Sequence, residues 1–341
     1  MKNEAIVQRA RTLFNEALVW DGHSGFMPDP AADLNNLQRW RNAGVHYLSV
    51  DVGFDVLPWT QTVENLAVFR HWILDHSDDY LLVERPEDIL RARREGRLGI
   101  TFDIEGMNAL NGRVEMVEFY HRLGVRQMLF AYNRNNLAGG GCHDEDIGLT
   151  AFGREVIDEM NRLGMFVDVS HCSYRTSMEA MEYSQQPVIF SHSNPRQLTP
   201  HGRNITDEQI LACVKTGGLI GVNGIGGFLG CDQPDAARFA DHIDYLLNLA
   251  GPRHVGIALD YAFPVGSFSV EEILANHAEY WPAEEYQGGH GYVAPEALFD
   301  VTAELLARGH SEKSVKAVLG RTSCVWPTRS GNKITRPTDR S

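Results

Sequence analysis

FVDVSHCSYRTSMEAMEYSQQPVIFSHS, residues 166–193, carries one short pattern twice: an apolar, β-branched run that closes on Ser-His, first at Ser170-His171 and again at Ser191-His192. The polar stretch between them has helical character, and Thr176-Ser177-Met178-Glu179 has the T-x-x-E form of a capping box, which predicts a helix start there. Upstream, TAFGREVIDEMNRLGM (150–165) has helical apolar spacing, with Gly164 where a left-handed C-terminal residue belongs. The rhythm is helix, strand, short helix, strand. Two consecutive strands ending in histidine make sense if both tips face one point.

The same alternation runs through most of the 341 residues. Eight short apolar runs stand between helix-period segments: 18–23, 46–51, 99–105, 126–132, 166–171, 187–192, 218–223 and 255–260. Near-continuous apolar strands separated by helices imply a parallel sheet covered on both faces, and eight such units suit a closed (β/α)8 TIM barrel of the α/β class. We expect one barrel domain over 1–341, with an amphipathic N-terminal helix over 1–17 and a C-terminal extension over about 321–341. Long loops at 133–148 and 261–292, the second rich in aromatic residues such as Phe263, Tyr280, Trp281 and Tyr286, have binding or capping roles as their usual use.

Composition narrows the function. With 43% apolar and 22% charged residues the chain is an ordinary globular protein, and a net charge of −14 argues against nucleic acid, whose binding needs a basic footprint. No run approaches the roughly 18 consecutive apolar residues of a membrane span, and the charged N-terminus lacks the apolar core of a signal peptide. Five scattered cysteines, odd in number and without CxxC spacing, fit reduced thiols in a cytoplasmic setting.

In a barrel the C-terminal strand ends share one rim, where active sites lie. The eight runs end at His23, Asp51, Glu105, Tyr132, His171, His192, Asn223 and Asp260. Three histidines and a glutamate on one rim point to a divalent metal site, with zinc the leading candidate. Asp51 and Asn223 are expected to cap the turns that follow them.

At these residues the chain resembles the membrane dipeptidase (renal dipeptidase) family of zinc peptidases within the amidohydrolase superfamily. The similarity is densest over 148–204, where the two Ser-His motifs, twenty-one positions apart, precede His201-Gly202-Arg203-Asn204. The resemblance implies a binuclear site with Glu105 bridging, His171 and His192 completing one metal position, and His23 with Asp260 serving the other. The family's HxD motif reads His23-Ser24-Gly25 here, so the second position has lost a carboxylate and one or two zinc ions are expected. Tyr132 stands where the family commonly has a carbonyl-polarising histidine; as a phenol it can still donate to an oxyanion. Arg203 matches the arginine that holds the substrate's carboxylate, a task suited to a guanidinium fork.

The expected chemistry is hydrolysis of a dipeptide or dipeptide-like amide with a free carboxylate by metal-bound hydroxide, with Asp260 as proton shuttle. The alternatives are an amidase for N-acyl amino acids or secondary-metabolite amides on the same scaffold, and a non-catalytic metal-binding relative. A small-molecule substrate and a homodimer are the expected partners.

Overall fold

In a computed structural model describing residues 4–263, 276–287 and 291–320, the strands are β1 (Trp20–Phe26), β2 (Tyr47–Phe54), β3 (Tyr80–Leu82), β4 (Leu98–Glu105), β5 (Val125–Leu129), β6 (Phe166–Asp168), β7 (Val188–Ile189), β8 (Ile220–Asn223), β9 (Val255–Ala258) and β10 (Ala262–Phe263). The expected C-terminal extension and Cys324 lie outside the described residues. So does much of the aromatic loop after β9. All named strand pairings are parallel: β1 pairs β2, β2 pairs β4, and the order continues through β5, β6 and β7. β8 pairs β9. The ring closes at two seams. A parallel bridge joins Phe190 to Ile220, and the amides of Leu259 and Asp260 donate to Asp21 Oδ1 and the His23 carbonyl, both at 2.9 Å. Eight of the strands therefore form a barrel, and all eight coincide with runs expected from the sequence. The two short extras, β3 beside the start of β4 and β10 beside the end of β1, were not foreseen.

Every residue of β2 and β4 is buried, yet the two faces differ. Leu48, Val50, Val52, Ile100, Phe102 and Ile104 join the main hydrophobic core. Ser49, Asp51, Thr101, Asp103 and Glu105 occupy the alternate positions, because side chains along a strand switch faces every residue. The lumen is thus polar toward the mouth. Tyr47 and Thr101 share a hydrogen bond of 2.6 Å, and Ser49 donates to Asp103.

The helix over Ala151–Leu163 begins at the N-cap Thr150 and ends on Gly164 at φ 72°, as its sequence predicts. The helix between the Ser-His motifs spans Tyr174–Tyr183 and starts earlier than expected. Ser173, not Thr176, is the N-cap and accepts from the Thr176 amide. Ser173 won because Thr176 turns its hydroxyl to the Ile147 carbonyl and receives the Gly140 amide, tying the helix to the 133–148 loop. The N-terminal helix, Glu4–Glu16, packs on the helices Leu298–Ala307 and Glu312–Gly320. No described helix is long and apolar enough to cross a membrane.

Ahead of β2, His46 accepts the Val19 amide at Nδ1 (3.0 Å). Burial, with Arg93 adding to it, pushes its pKa down to about 4 from an ordinary 6.5. Between those values the unfolded chain takes up a proton that the folded chain refuses. Stability is therefore complete above pH 6.5 and declines as pH falls toward 4. A His46→Gln variant is expected to lose about 2 kcal/mol of that acid-side decline, screening at a partly exposed ring having reduced the ideal value. Urea melts of both proteins at pH 7 and pH 4.5 measure it; identical slopes would refute it.

Candidate metal centre

The strand ends deliver His23, Asp51, Glu105, Tyr132, His171 and Asp260 to one cavity, with His192 and Asn223 buried just beneath it, though not all from the places foreseen. Glu105 is the last residue of β4. His171 and His192 each sit three residues past a strand, and Asp260 two past β9. His23 and Asp51 lie within their strands, because β1 and β2 continue to Phe26 and Phe54. Expecting them at the tips was wrong; an irregular register between Asp21 and Ser24 still aims His23 at the centre. Ligand atoms of Glu105, His171 and His192 all lie within 4.8 Å of one another, and so do those of His23, His192 and Asp260.

The imidazoles are held by their Nδ1 atoms. His171 Nδ1 is 2.7 Å from Asn133 Oδ1, and Asn133 gives its Nδ2 protons to the Tyr280 carbonyl, so its oxygen faces the ring. His192 Nδ1 is 2.7 Å from Ser191 Oγ, whose own proton goes to Asp168. His23 Nδ1 is 2.9 Å from Asp103 Oδ1. Each Nδ1 therefore donates, and each Nε2 is aimed inward. Partners of this kind fix tautomer and orientation in metal-bound histidines. The serine of each Ser-His thus has a purpose: Ser191 orients its histidine, and Ser170 braces Ser191 at 3.1 Å.

The consequence is an excess of lone pairs. His171 Nε2 and His192 Nε2 stand 2.8 Å apart with no proton assigned to either. Glu105 Oε1, buried and without a hydrogen bond among the described residues, lies 3.2 Å from His192 Nε2, 3.4 Å from His171 Nε2 and 3.6 Å from His23 Nε2. Burial, followed by the charges of Arg203 on one ring and His23 on the other, holds the pKa of His171 and His192 well below the ordinary value, so both rings are neutral. Burial pushes Glu105 up to about 8, with Asp260 and Asp103 adding to the rise and His23 opposing it. For His23 burial opposes charge, but Asp103 and Glu105 outweigh it and hold the ring well above its usual value. Burial, then Glu105 and Asp103, lifts Asp51 as well. Electron-rich atoms packed this closely need a shared proton or a cation between them. The residues present fit a divalent cation.

Backbone strain accompanies the site. Asn133, His171 and Asp260 adopt φ of 60°, 61° and 53°, three of the four left-handed non-glycine residues among those described. Such outliers persist where the surroundings enforce them, commonly at active sites.

The cavity of about 220 Å³ above these groups is walled by Phe54, Tyr132, Phe228, Tyr261, Trp281 and Tyr286, among others. Tyr132 stacks on His171 with ring centroids 4.2 Å apart; burial, then Glu105, keeps it a phenol. Its hydroxyl has no hydrogen-bond partner among the described residues, so it is free to donate. Arg203 is placed differently from expectation. It is buried behind the cavity wall, with Nη2 on the His192 carbonyl (2.7 Å), Nη1 on Ser193 Oγ (3.2 Å) and Nε unpartnered. Its charge nonetheless acts on Glu105 and Tyr132. Asn223 does cap a turn, accepting the Ile225 amide, and also donates to Asp260 Oδ2 at 2.7 Å.

Asp103, Asn133, Asp168 and Glu285 were missed. Asp103 had a signal, since it sits two residues before Glu105 on the same strand face. Glu285 had none: its carboxylate accepts the Gly202 amide from eighty-three residues away.

Residues 7–274 match the family model described as membrane dipeptidase (peptidase family M19). An uncharacterized dipeptidase of Schizosaccharomyces pombe is 33% identical over 240 residues, 67% of this chain but 57% of the relative's length, so the match spans little more than half of that protein. An amidohydrolase from Pseudomonas aeruginosa of known structure is 28% identical, with a TM-score of 0.81 over 93% of this chain and 97% of that one. The probable dipeptidase PvdM from the same organism shares the fold at 19% identity, with a TM-score of 0.79 over 95% and 98% of the two chains.

Proposed function

We propose, for a chain that belongs to the membrane dipeptidase family, metal-dependent hydrolysis of a dipeptide or of a dipeptide-like amide with a free carboxylate. One observation carries this reading. Two neutral imidazole nitrogens 2.8 Å apart and a buried carboxylate oxygen without a hydrogen bond converge at the floor of a small cavity.

A divalent ion held there, zinc by choice of donors, would supply Lewis acidity and would lower the pKa of a water toward neutrality. Glu105, His171 and His192 would hold the ion, with His23 and Asp260 presenting ligand atoms on the other side. Asp260 takes the proton of the attacking water at Oδ1 while Asn223 anchors Oδ2, then returns it to the leaving amine. The unpartnered Tyr132 hydroxyl donates to the oxygen that gains charge, as a neutral donor in a site shielded from solvent. Arg203 attracts the substrate's carboxylate through its positive field, from behind the cavity wall. A cavity of about 220 Å³ suits a short substrate, and its aromatic wall favours an apolar group on it.

That wall also favours a second reading, hydrolysis of an N-acyl amino acid. Zinc-supplemented protein assayed with L-L dipeptides, L-D dipeptides, their carboxamides and N-acyl amino acids separates the two. Dipeptides are expected to turn over, with carboxamides at least about tenfold slower in kcat/KM, since the attraction of the Arg203 charge for the carboxylate is lost. Turnover of N-acyl amino acids alone would favour the second reading, and no turnover of any dipeptide would sink the first.

A further inference from the structure

Position 25 is closed to a carboxylate by more than its present residue. Gly25 adopts φ 141°, and a Cβ there would stand 3.1 Å from Val50 Cγ1. An aspartate at 25 would need both a strained backbone and a displaced valine. One strand away, Asp51 is 94% buried, and its neighbours explain why it faces the lumen: its register partner on β4 is Asp103, the residue that holds His23. Asp51 shares the cavity wall with His23, Glu105 and Asp260. Its Oδ1 accepts the Gly53 amide at 3.0 Å. Among the described residues the other oxygen has neither a hydrogen bond nor a lysine or arginine partner.

Capping a turn accounts for only half of this side chain. The Gly53 amide needs one neutral acceptor, which an asparagine would supply equally well. A buried carboxylate set beside two more, Asp103 and Glu105, is costly unless a cation compensates it. We propose that Asp51 is a metal ligand, supplying to the His23–Asp260 side of the centre the carboxylate that position 25 cannot carry. The ligand set has moved from β1 to the adjacent strand. The inference rests on the metal-dependent reading above and extends it to a second ion.

Elemental analysis and manganese titration followed by electron paramagnetic resonance test it without reference to turnover. The full chain, stripped with chelator and reloaded, is expected to take up two manganese ions, with the second giving the spin-coupled signal of a close pair. Asp51→Asn is close to isosteric and keeps the Gly53 bond. It is expected to take up one ion at unchanged affinity and to show only the uncoupled signal, with a melting temperature in chelator at or above that of the parent. A folded Asp51→Asn protein that binds two coupled ions within threefold of the parent's affinity overturns the proposal. So does a parent chain that saturates with one ion, a result that needs no variant to fold. If the parent binds two coupled ions but hydrolyses no dipeptide, the functional reading fails while Asp51 keeps its place.

Discussion

A Glu105→Gln variant is expected to lose its bound metal and at least about a thousandfold in kcat/KM, while its metal-free form is more stable than metal-free wild type above pH 8. The first part follows from position. Oε1 of Glu105 reaches all three inward-facing imidazole nitrogens, at 3.2, 3.4 and 3.6 Å. An amide in its place is neutral and a poor ligand. The second part follows from linkage. In the metal-free protein the Glu105 carboxyl has a pKa raised by burial to about 8 from an ordinary 4.5. Between those values the folded state holds a proton that the unfolded state releases, so wild-type stability falls as pH rises from 4.5 to 8, by a few kcal/mol in all. Glutamine cannot ionise and removes that slope. Metal removes it too, by displacing the proton. Metal analysis with thermal melts at pH 6 and pH 8.5, with and without chelator, measures both parts. Full metal content in the variant, or activity within tenfold of wild type, would contradict the proposed centre.

How much of this could be read from the sequence depended on what each residue needs in order to act. His171, His192 and Glu105 were legible because barrel topology alone brings the ends of parallel strands to one rim. His23 and Asp51 were assigned to the correct strands but to the wrong places along them. Where a strand stops depends on its neighbours' hydrogen bonds, and β1 is prolonged by β10, which follows β9 in the chain. The helix cap moved from Thr176 to Ser173 because the Thr176 hydroxyl is claimed by a loop residue twenty-nine positions away. Asn133 and Asp168 were invisible for the same reason: each acts through a partner brought near only by folding. Arg203 illustrates a different limit. Residue type and motif indicated a positive charge near the site, and it is there, but only coordinates could place its guanidinium behind the His192 carbonyl. The polar lumen was masked as well, since strands buried on both faces blur the alternation that would otherwise separate Asp103 and Glu105 from Phe102 and Ile104.

An Asp260→Asn variant is expected to lower kcat by about a hundred- to ten-thousandfold with KM little changed, and to keep the ion at Glu105, His171 and His192. Asparagine suits the backbone there, since it tolerates the left-handed conformation that Asp260 adopts at φ 53°. The change is therefore chemical rather than structural. Asn223 Nδ2 donates to Asp260 Oδ2 at 2.7 Å, and that donor will hold the one remaining carbonyl oxygen of an asparagine. The amide's NH2 must then face His23 Nε2, which now lies 3.5 Å from a carboxylate oxygen. The site loses its proton acceptor, and the His23 side gains a donor where a cation would need a ligand. The limb of the pH–rate profile that reports the base should disappear, a signature that loose packing alone would not produce. Steady-state kinetics across pH, with metal content measured on the same samples, decide the matter. A variant whose kcat stays within threefold of wild type would move the proton transfer to another group, and Asp51 and Tyr132 would be the next to test.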